Sequence, residues 1–105
     1  MRINIRARKI EIDAEVRAYV DRRLRFALTR FGGHVDKVTV RFEDTNGARG
    51  GVDKQCQIGV TLRPSGSVLV EDVDADIHTV IDRTAERVSR VVARDLQRRR
   101  AARRA

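Results

Sequence analysis

Apolar and polar side chains alternate from the first residues. In residues 1–12, MRINIRARKIEI, Ile3, Ile5 and Ala7 fall on one side and Arg2, Asn4, Arg6 and Arg8 on the other. A period of two is that of a strand with one buried face. Asp13 then offers a side-chain cap, with Glu15 placed where a helix dipole favours an acid, and a helix is predicted from there to Phe31. Val16, Val20, Leu24, Ala27, Leu28 and Phe31 recur at helical spacing as its apolar stripe, and Gly32-Gly33 closes it. Alternation returns in residues 37–44, with Val38, Val40 and Phe42 inward and Thr39, Arg41 and Glu43 outward. Residues 45–51, TNGARGG, read as a hairpin loop. Residues 53–63 place Cys56, Ile58, Val60 and Leu62 on one face, Pro64-Ser65-Gly66 turns the chain, and residues 67–73 form a fourth strand.

The stretch 76–100, DIHTVIDRTAERVSRVVARDLQRRR, carries two stripes at once. At about 100° per residue, Ile77, Val80, Ile81, Thr84, Val88, Val91 and Val92 share one face. Arg83, Arg87, Arg90, Arg94 and Arg98 form a row beside it, about 22 Å long at a rise of 1.5 Å per residue. Arg83 with Arg87 and Arg90 with Arg94 are like-charged neighbours one turn apart, which weakens rather than supports a helix. Glu86 and Asp95 are within helical reach but are too few to neutralise five guanidinium groups. The row therefore reads as a face for anions rather than a solvated surface. Beyond Arg98 the apolar stripe ends, so residues 99–105 are expected to be a disordered basic tail following a domain of residues 1–98.

The order strand, helix, three strands, helix gives an α+β single domain, β-α-β-β-β-α. Its economical packing is a four-stranded sheet with the two helices on one face. The first helix is long enough to cross over between two parallel strands, and the remaining strands fit a meander.

Charge sharpens the picture. The 105 residues hold 23 Lys plus Arg against 15 Asp plus Glu, and only Lys9, Lys37 and Lys54 among the basic residues are lysines. Arginine supplies planar forked donors suited to phosphate. Residues 1–31 and 83–105 are strongly basic, whereas residues 71–82 carry five acids and no base. That acidic run reads as helix capping and solubility, a magnesium site being the weaker alternative. On the first helix Tyr19, Arg22, Arg23, Phe26 and Arg30 interleave aromatic and basic groups along one flank. The rings are either the edge of the core or platforms for an exposed base.

Chemistry beyond binding finds little support. Cys56 is the sole cysteine and faces inward, so no internal disulfide forms and a reducing compartment is expected. His34 and His78 have no partners at metal-ligand spacing, and GARGG lacks the spacing of a phosphate-cradling loop. The expectation is a protein with no catalytic site, no cofactor and no metal. No apolar run reaches the length of a membrane span or signal peptide core, so a soluble cytoplasmic protein is expected.

With this layout the sequence resembles the ribosome hibernation-promoting factor and ribosome-associated translation inhibitor family, also described as the sigma-54 modulation protein family. MRINIRARKIEI resembles the family's first strand and DAEVRAYVDRRL its first helix, with Arg17 and Arg23 at basic positions. Asp76-Ile77-His78 with Val80-Ile81-Asp82 resembles the start of its second helix, and Arg87, Arg90 and Arg94 match its basic run. The resemblance implies a domain similar to double-stranded RNA-binding domains that docks in the small ribosomal subunit. There it would contact rRNA in the tRNA and mRNA channel and block translation under stress. It also implies a monomeric short form, without the C-terminal dimerisation domain of long members. The candidate RNA-binding residues are Arg22, Arg23 and Arg30 on the first helix and Arg83, Arg87, Arg90, Arg94 and Arg98 on the second. The alternatives are a non-specific RNA- or DNA-binding chaperone and a basic protein-interaction module.

Overall fold

Six elements follow one another in a computed structural model that describes residues 1–45 and 53–104. They are β1 (Arg2–Arg8), α1 (Ala14–Leu28), β2 (Val35–Asp44), β3 (Lys54–Leu62), β4 (Ser67–Asp74) and α2 (Ile77–Arg104). The strands form one sheet in the order β1-β2-β3-β4, with β1 and β2 parallel and the other pairs antiparallel. The β-α-β-β-β-α order and the crossover through α1 agree with the sequence pattern. The hairpin-loop reading of residues 45–51 falls, after Thr45, outside the described residues.

One face of the sheet is apolar because the inward positions of each strand line up in register. Val40 on β2 sits beside Ile58 on β3, which sits beside Val70 on β4. Val38, Val40, Phe42, Cys56, Ile58, Val60 and Leu62 are all buried. Both helices cover this face, α1 with Val20, Leu24 and Leu28 and α2 with Val80, Ile81, Ala85, Val88 and Val92. Burying each such aliphatic side chain contributes about 1.5–3 kcal/mol, which makes this shared layer the source of the fold's stability.

Local chemistry sets the element ends. The carboxylate of Asp13 accepts from the Val16 N–H at 2.8 Å and so caps α1. The α-helical turns stop at Leu28, short of the Phe31 that the stripe suggests, and a 3-10 segment, Thr29–His34, follows. Thr29 turns its hydroxyl onto the Arg25 carbonyl, the local competition by which threonine weakens helix continuation. Gly32 then takes φ 55°, a left-handed conformation that suits glycine. β1 likewise ends at Arg8 rather than Ile12: Lys9 adopts φ 60°, and the turned chain delivers Ile12 to the core.

α2 begins where the Asp76 carboxylate accepts from both the N–H and the hydroxyl of Thr79 at 2.8 Å. Helical backbone persists through Arg104, past the Arg98 at which the apolar stripe stops. Alanine and arginine are strong helix formers, and Arg99 is tied to Asp95 at 2.9 Å and to the Ser65 carbonyl. Gly66, at φ 96°, leaves open the space that the Arg99 guanidinium fills. No helix among the described residues is long and apolar enough to cross a membrane.

Candidate nucleic-acid interface

The two helices meet along their adjoining flanks. The Tyr19 hydroxyl donates to the Asp82 carboxylate, and Arg23 approaches the same carboxylate at 3.4 Å. The Tyr19 and His78 rings lie 5.0 Å apart. Hydrogen bonding to the Asp82 carboxylate, with burial adding to it, raises the Tyr19 phenol above its ordinary pKa. Farther along, the Ser89 hydroxyl donates to the Ala27 carbonyl at 3.1 Å and accepts from Arg30 at 2.9 Å. Tyr19 is therefore a link between helices.

Phe26 has no such role. It is 84% exposed, the most open large apolar side chain among the described residues. It sits in a shallow groove between α1 and α2 whose other walls are Arg23, Ala27, Arg30, Glu86, Ser89 and Arg90. Two aromatic residues that look alike in the sequence thus separate, Tyr19 into the helix contact and Phe26 into solvent. The Arg30 guanidinium is held 4.6 Å from the centre of the Phe31 ring, a cation–π contact that fixes its reach beside the groove.

The arginine row on α2 divides in two. Arg83 and Arg87 lean away from α1 toward the edge strand. Arg83 contacts Asp72 and Asp74 at 2.9 Å each and donates to the Val73 carbonyl, also at 2.9 Å. Arg87 donates to the Glu71 carbonyl at 2.8 Å and lies 3.7 Å from Asp72. The Arg83 hydrogen bond pulls the Asp72 pKa below the usual carboxylate value and raises that of Arg83. Two of the five acids in the run, Asp72 and Asp74, thus anchor these arginines, a role the sequence pattern did not show, while Asp76 caps α2 as that pattern suggested.

The remaining arginines are freer. Arg90 pairs with Glu86 at 3.1 Å and Arg98 with Asp95 at 3.5 Å, both exposed contacts of the kind that contribute little. Arg94 is exposed and makes no hydrogen bond or ion pair among the described residues. Arg22 is exposed on the solvent side of α1. The structure therefore gathers Arg23, Arg30 and Arg90 around Phe26, leaves Arg22, Arg94 and Arg98 open, and commits Arg83 and Arg87 to β4.

Sequence reading also passed over a basic recess at the far end of the helices, where His34, Arg63, Leu96, Arg99 and Arg100 come together. Its signal was present in the arginines after Arg98, but their placement depends on the helix continuing. Cys56 is fully buried, and desolvation pushes its thiol up to about 12. Among the described residues no group of three or more His, Cys, Asp or Glu side chains is placed to hold a metal ion.

Residues 3–100 match the family described as sigma 54 modulation protein / S30EA ribosomal protein. The crystal structure of the Thermus thermophilus Protein Y N-terminal domain is similar, with a TM-score of 0.75 and 29% identity over 90% of this chain and 98% of that one. A ribosomal subunit interface protein from Coxiella burnetii shares the fold at a TM-score of 0.79, with 13% identity over 92% of this chain and 99% of that one. Among curated protein sequences none matches the chain. Because the family pattern runs almost end to end through the elements that build the inter-helix groove, the chain belongs to the sigma 54 modulation protein / S30EA ribosomal protein family.

Proposed function

We propose that this protein is a ribosome-associated hibernation factor of the cytoplasm that binds rRNA in the tRNA and mRNA channel of the small subunit and inhibits translation by filling it. The observation that carries the reading is the groove in which Arg23, Arg30 and Arg90 surround the exposed ring of Phe26. Guanidinium groups supply phosphate contacts and counterion release, and an exposed aromatic ring supplies a surface on which an unpaired base stacks. Arg22, Arg94 and Arg98 extend the positive surface on either side, while Arg83 and Arg87 contribute mainly by fixing α2 to β4. Membership of the sigma 54 modulation protein / S30EA ribosomal protein family supports the ribosome as the source of the RNA. The mechanism is occlusion by a bound monomer, with no chemical step.

Co-sedimentation with separated ribosomal subunits tests it. The unaltered protein is expected to pellet with small subunits at moderate salt and to inhibit translation in a purified system. An Arg23→Glu/Arg90→Glu/Arg94→Glu variant is expected to stay in the supernatant. Pelleting of that variant overturns the assignment of the surface. Loss of ribosome binding to bulk duplex RNA at equal nucleotide concentration would instead identify a general nucleic-acid chaperone, and partner capture that survives nuclease digestion a protein-interaction module.

A further inference from the structure

The sheet face opposite the helices carries unneutralised charge that the inter-helix groove does not explain. The register sets Arg6 of β1 beside Arg41 of β2 and Arg2 beside Lys37, with Asn4 and Thr39 between them. All of these positions lie on the outward side, because Ile3, Ile5, Val38, Val40 and Phe42 take the inward one. Neighbouring strands run about 4.8 Å apart, so each pair brings two like charges close together, an arrangement that weakens a sheet. Arg6, Lys37 and Arg41 make no hydrogen bond or ion pair among the described residues. The acids of β2 near this face are Glu43, which lies 3.8 Å from Arg8, and Asp36, which is held by Arg63 and also feels the charge of Arg2, so the unpaired cations are those at Arg6, Lys37 and Arg41. Glu71 lies on the far strand, where it accepts from Gln55 and Gln57 at 3.3 Å. Residues 46–52 contain no acid.

We propose that this outer face is a second RNA-binding surface, one that takes the phosphate backbone of a single-stranded segment across β1 and β2. Its cations are spread along two strands, as suits a ligand with one charge per nucleotide. A recess there is lined by Arg6, Arg8 and Arg41, by Glu43 paired to Arg8, and by Gln55 and Gln57, whose amides each donate to Glu71 and keep a second N–H. A protein partner would need an apolar centre to its contact, and the exposed Leu69 lies on β4, away from the charged half. Among the described residues this face offers no exposed aromatic ring to stack a base, Phe42 being buried, so it grips backbone without reading sequence. Together with the helix groove it makes the domain a wedge with RNA on both sides, although the proposal stands on the sheet alone.

Titration with a short single-stranded oligouridylate across a salt series tests it on three proteins. These are the unaltered chain, an Arg6→Gln/Arg41→Gln variant and an Arg23→Gln/Arg30→Gln/Arg90→Gln variant. The unaltered chain is expected to take up a second RNA equivalent that the sheet variant loses, with the salt slope falling by about 0.7 per lost phosphate contact. The sheet variant, relieved of like charges, is expected to melt no earlier than the unaltered chain. Unchanged stoichiometry and slope in the sheet variant overturn the proposal. A helix variant that binds like the unaltered chain, beside a sheet variant that does not, overturns the groove reading and leaves this one standing. Photo-cross-linking of the unaltered protein to the same RNA needs no substitution. Cross-links in residues 2–8 and 37–43 support the second surface, and cross-links confined to α1 and α2 overturn it.

Discussion

Arg83 reaches from the outer flank of α2 to Asp72 on β4, its Nε 2.9 Å from the carboxylate, while its other nitrogens engage Asp74 and the Val73 carbonyl. An arginine read from the sequence as part of a ligand-facing row is thereby a clip between the second helix and the edge of the sheet.

The clip predicts a pH dependence. Hydrogen bonding to Arg83 lowers the Asp72 pKa in the folded state. A lowered folded pKa contributes stability that is present above the unfolded value, about 3.9, and is lost as pH falls through the folded one. An Arg83→Gln variant is therefore expected to melt earlier than the unaltered protein at neutral pH. The difference narrows as pH falls from about 4 through the lowered folded value, below which Asp72 is protonated in both proteins. Thermal melts from neutral to strongly acid pH read this directly, and a gap that stays constant with pH contradicts it. Because Arg83 already holds three partners, its loss is expected to affect RNA binding less than loss of Arg90 or Arg94.

The apolar periodicity carried almost all of the fold. Stripes at spacings of two and 3.6 placed Val38, Val40, Phe42, Ile58, Val60, Val80, Val88 and Val92 in the core, where they lie. Those stripes are fixed by the chain's own geometry, so no knowledge of neighbours is needed. The site was less legible because a helical wheel gives a row of arginines without saying what stands beside each flank. Asp72 and Asp74 come to Arg83 only through the packing of β4 against α2. Tyr19 and Phe26 are seven residues apart on one flank, and their fates differ because His78 and Asp82 meet the first while the second faces open groove. Lys9 at positive φ and the early end of α1 at Leu28 are tertiary demands on local backbone that composition does not announce.

Phe26 is expected to matter for binding and not for folding. At 84% exposure its ring covers little of the core, so Phe26→Ala should leave the melting midpoint nearly unchanged. If the ring stacks on a base, truncation costs about 1–3 kcal/mol of binding free energy, roughly five- to 150-fold in affinity. Phe26→Tyr should restore it, because stacking needs the ring face rather than a particular edge. Titration of the three proteins with small subunits measures this, and equal affinities remove Phe26 from the interface.

Cys56 offers a measure of core opening. Its thiol is buried beneath the helices and pushed up to about 12, so it is neutral at physiological pH and out of reach of reagents. Modification by a thiol-specific reagent is expected only when the sheet and α2 separate. Its rate should track unfolding across a denaturant series and should rise in the Arg83→Gln variant. Fast modification of the native protein at neutral pH would contradict the burial on which this rests.

Salt dependence distinguishes arginines that meet phosphate from arginines that hold the fold. Neutralising a phosphate releases counterions, so each lost contact flattens log K against log salt by about 0.7 to 0.9. Arg90 is paired with Glu86 at 3.1 Å, but both side chains are more than half exposed, and such a pair is easily exchanged for a phosphate. Arg94 has no partner among the described residues to give up. Arg90→Gln and Arg94→Gln should therefore each reduce the slope of small-subunit binding by nearly one contact, and their double variant by nearly two. Arg83→Gln should leave the slope close to that of the unaltered protein, since Asp72 and Asp74 already neutralise it. Binding isotherms at four or more salt concentrations separate the two outcomes. Equal flattening by Arg83→Gln and Arg94→Gln would mean that the clip opens when RNA binds, returning Arg83 to the ridge that the sequence spacing describes.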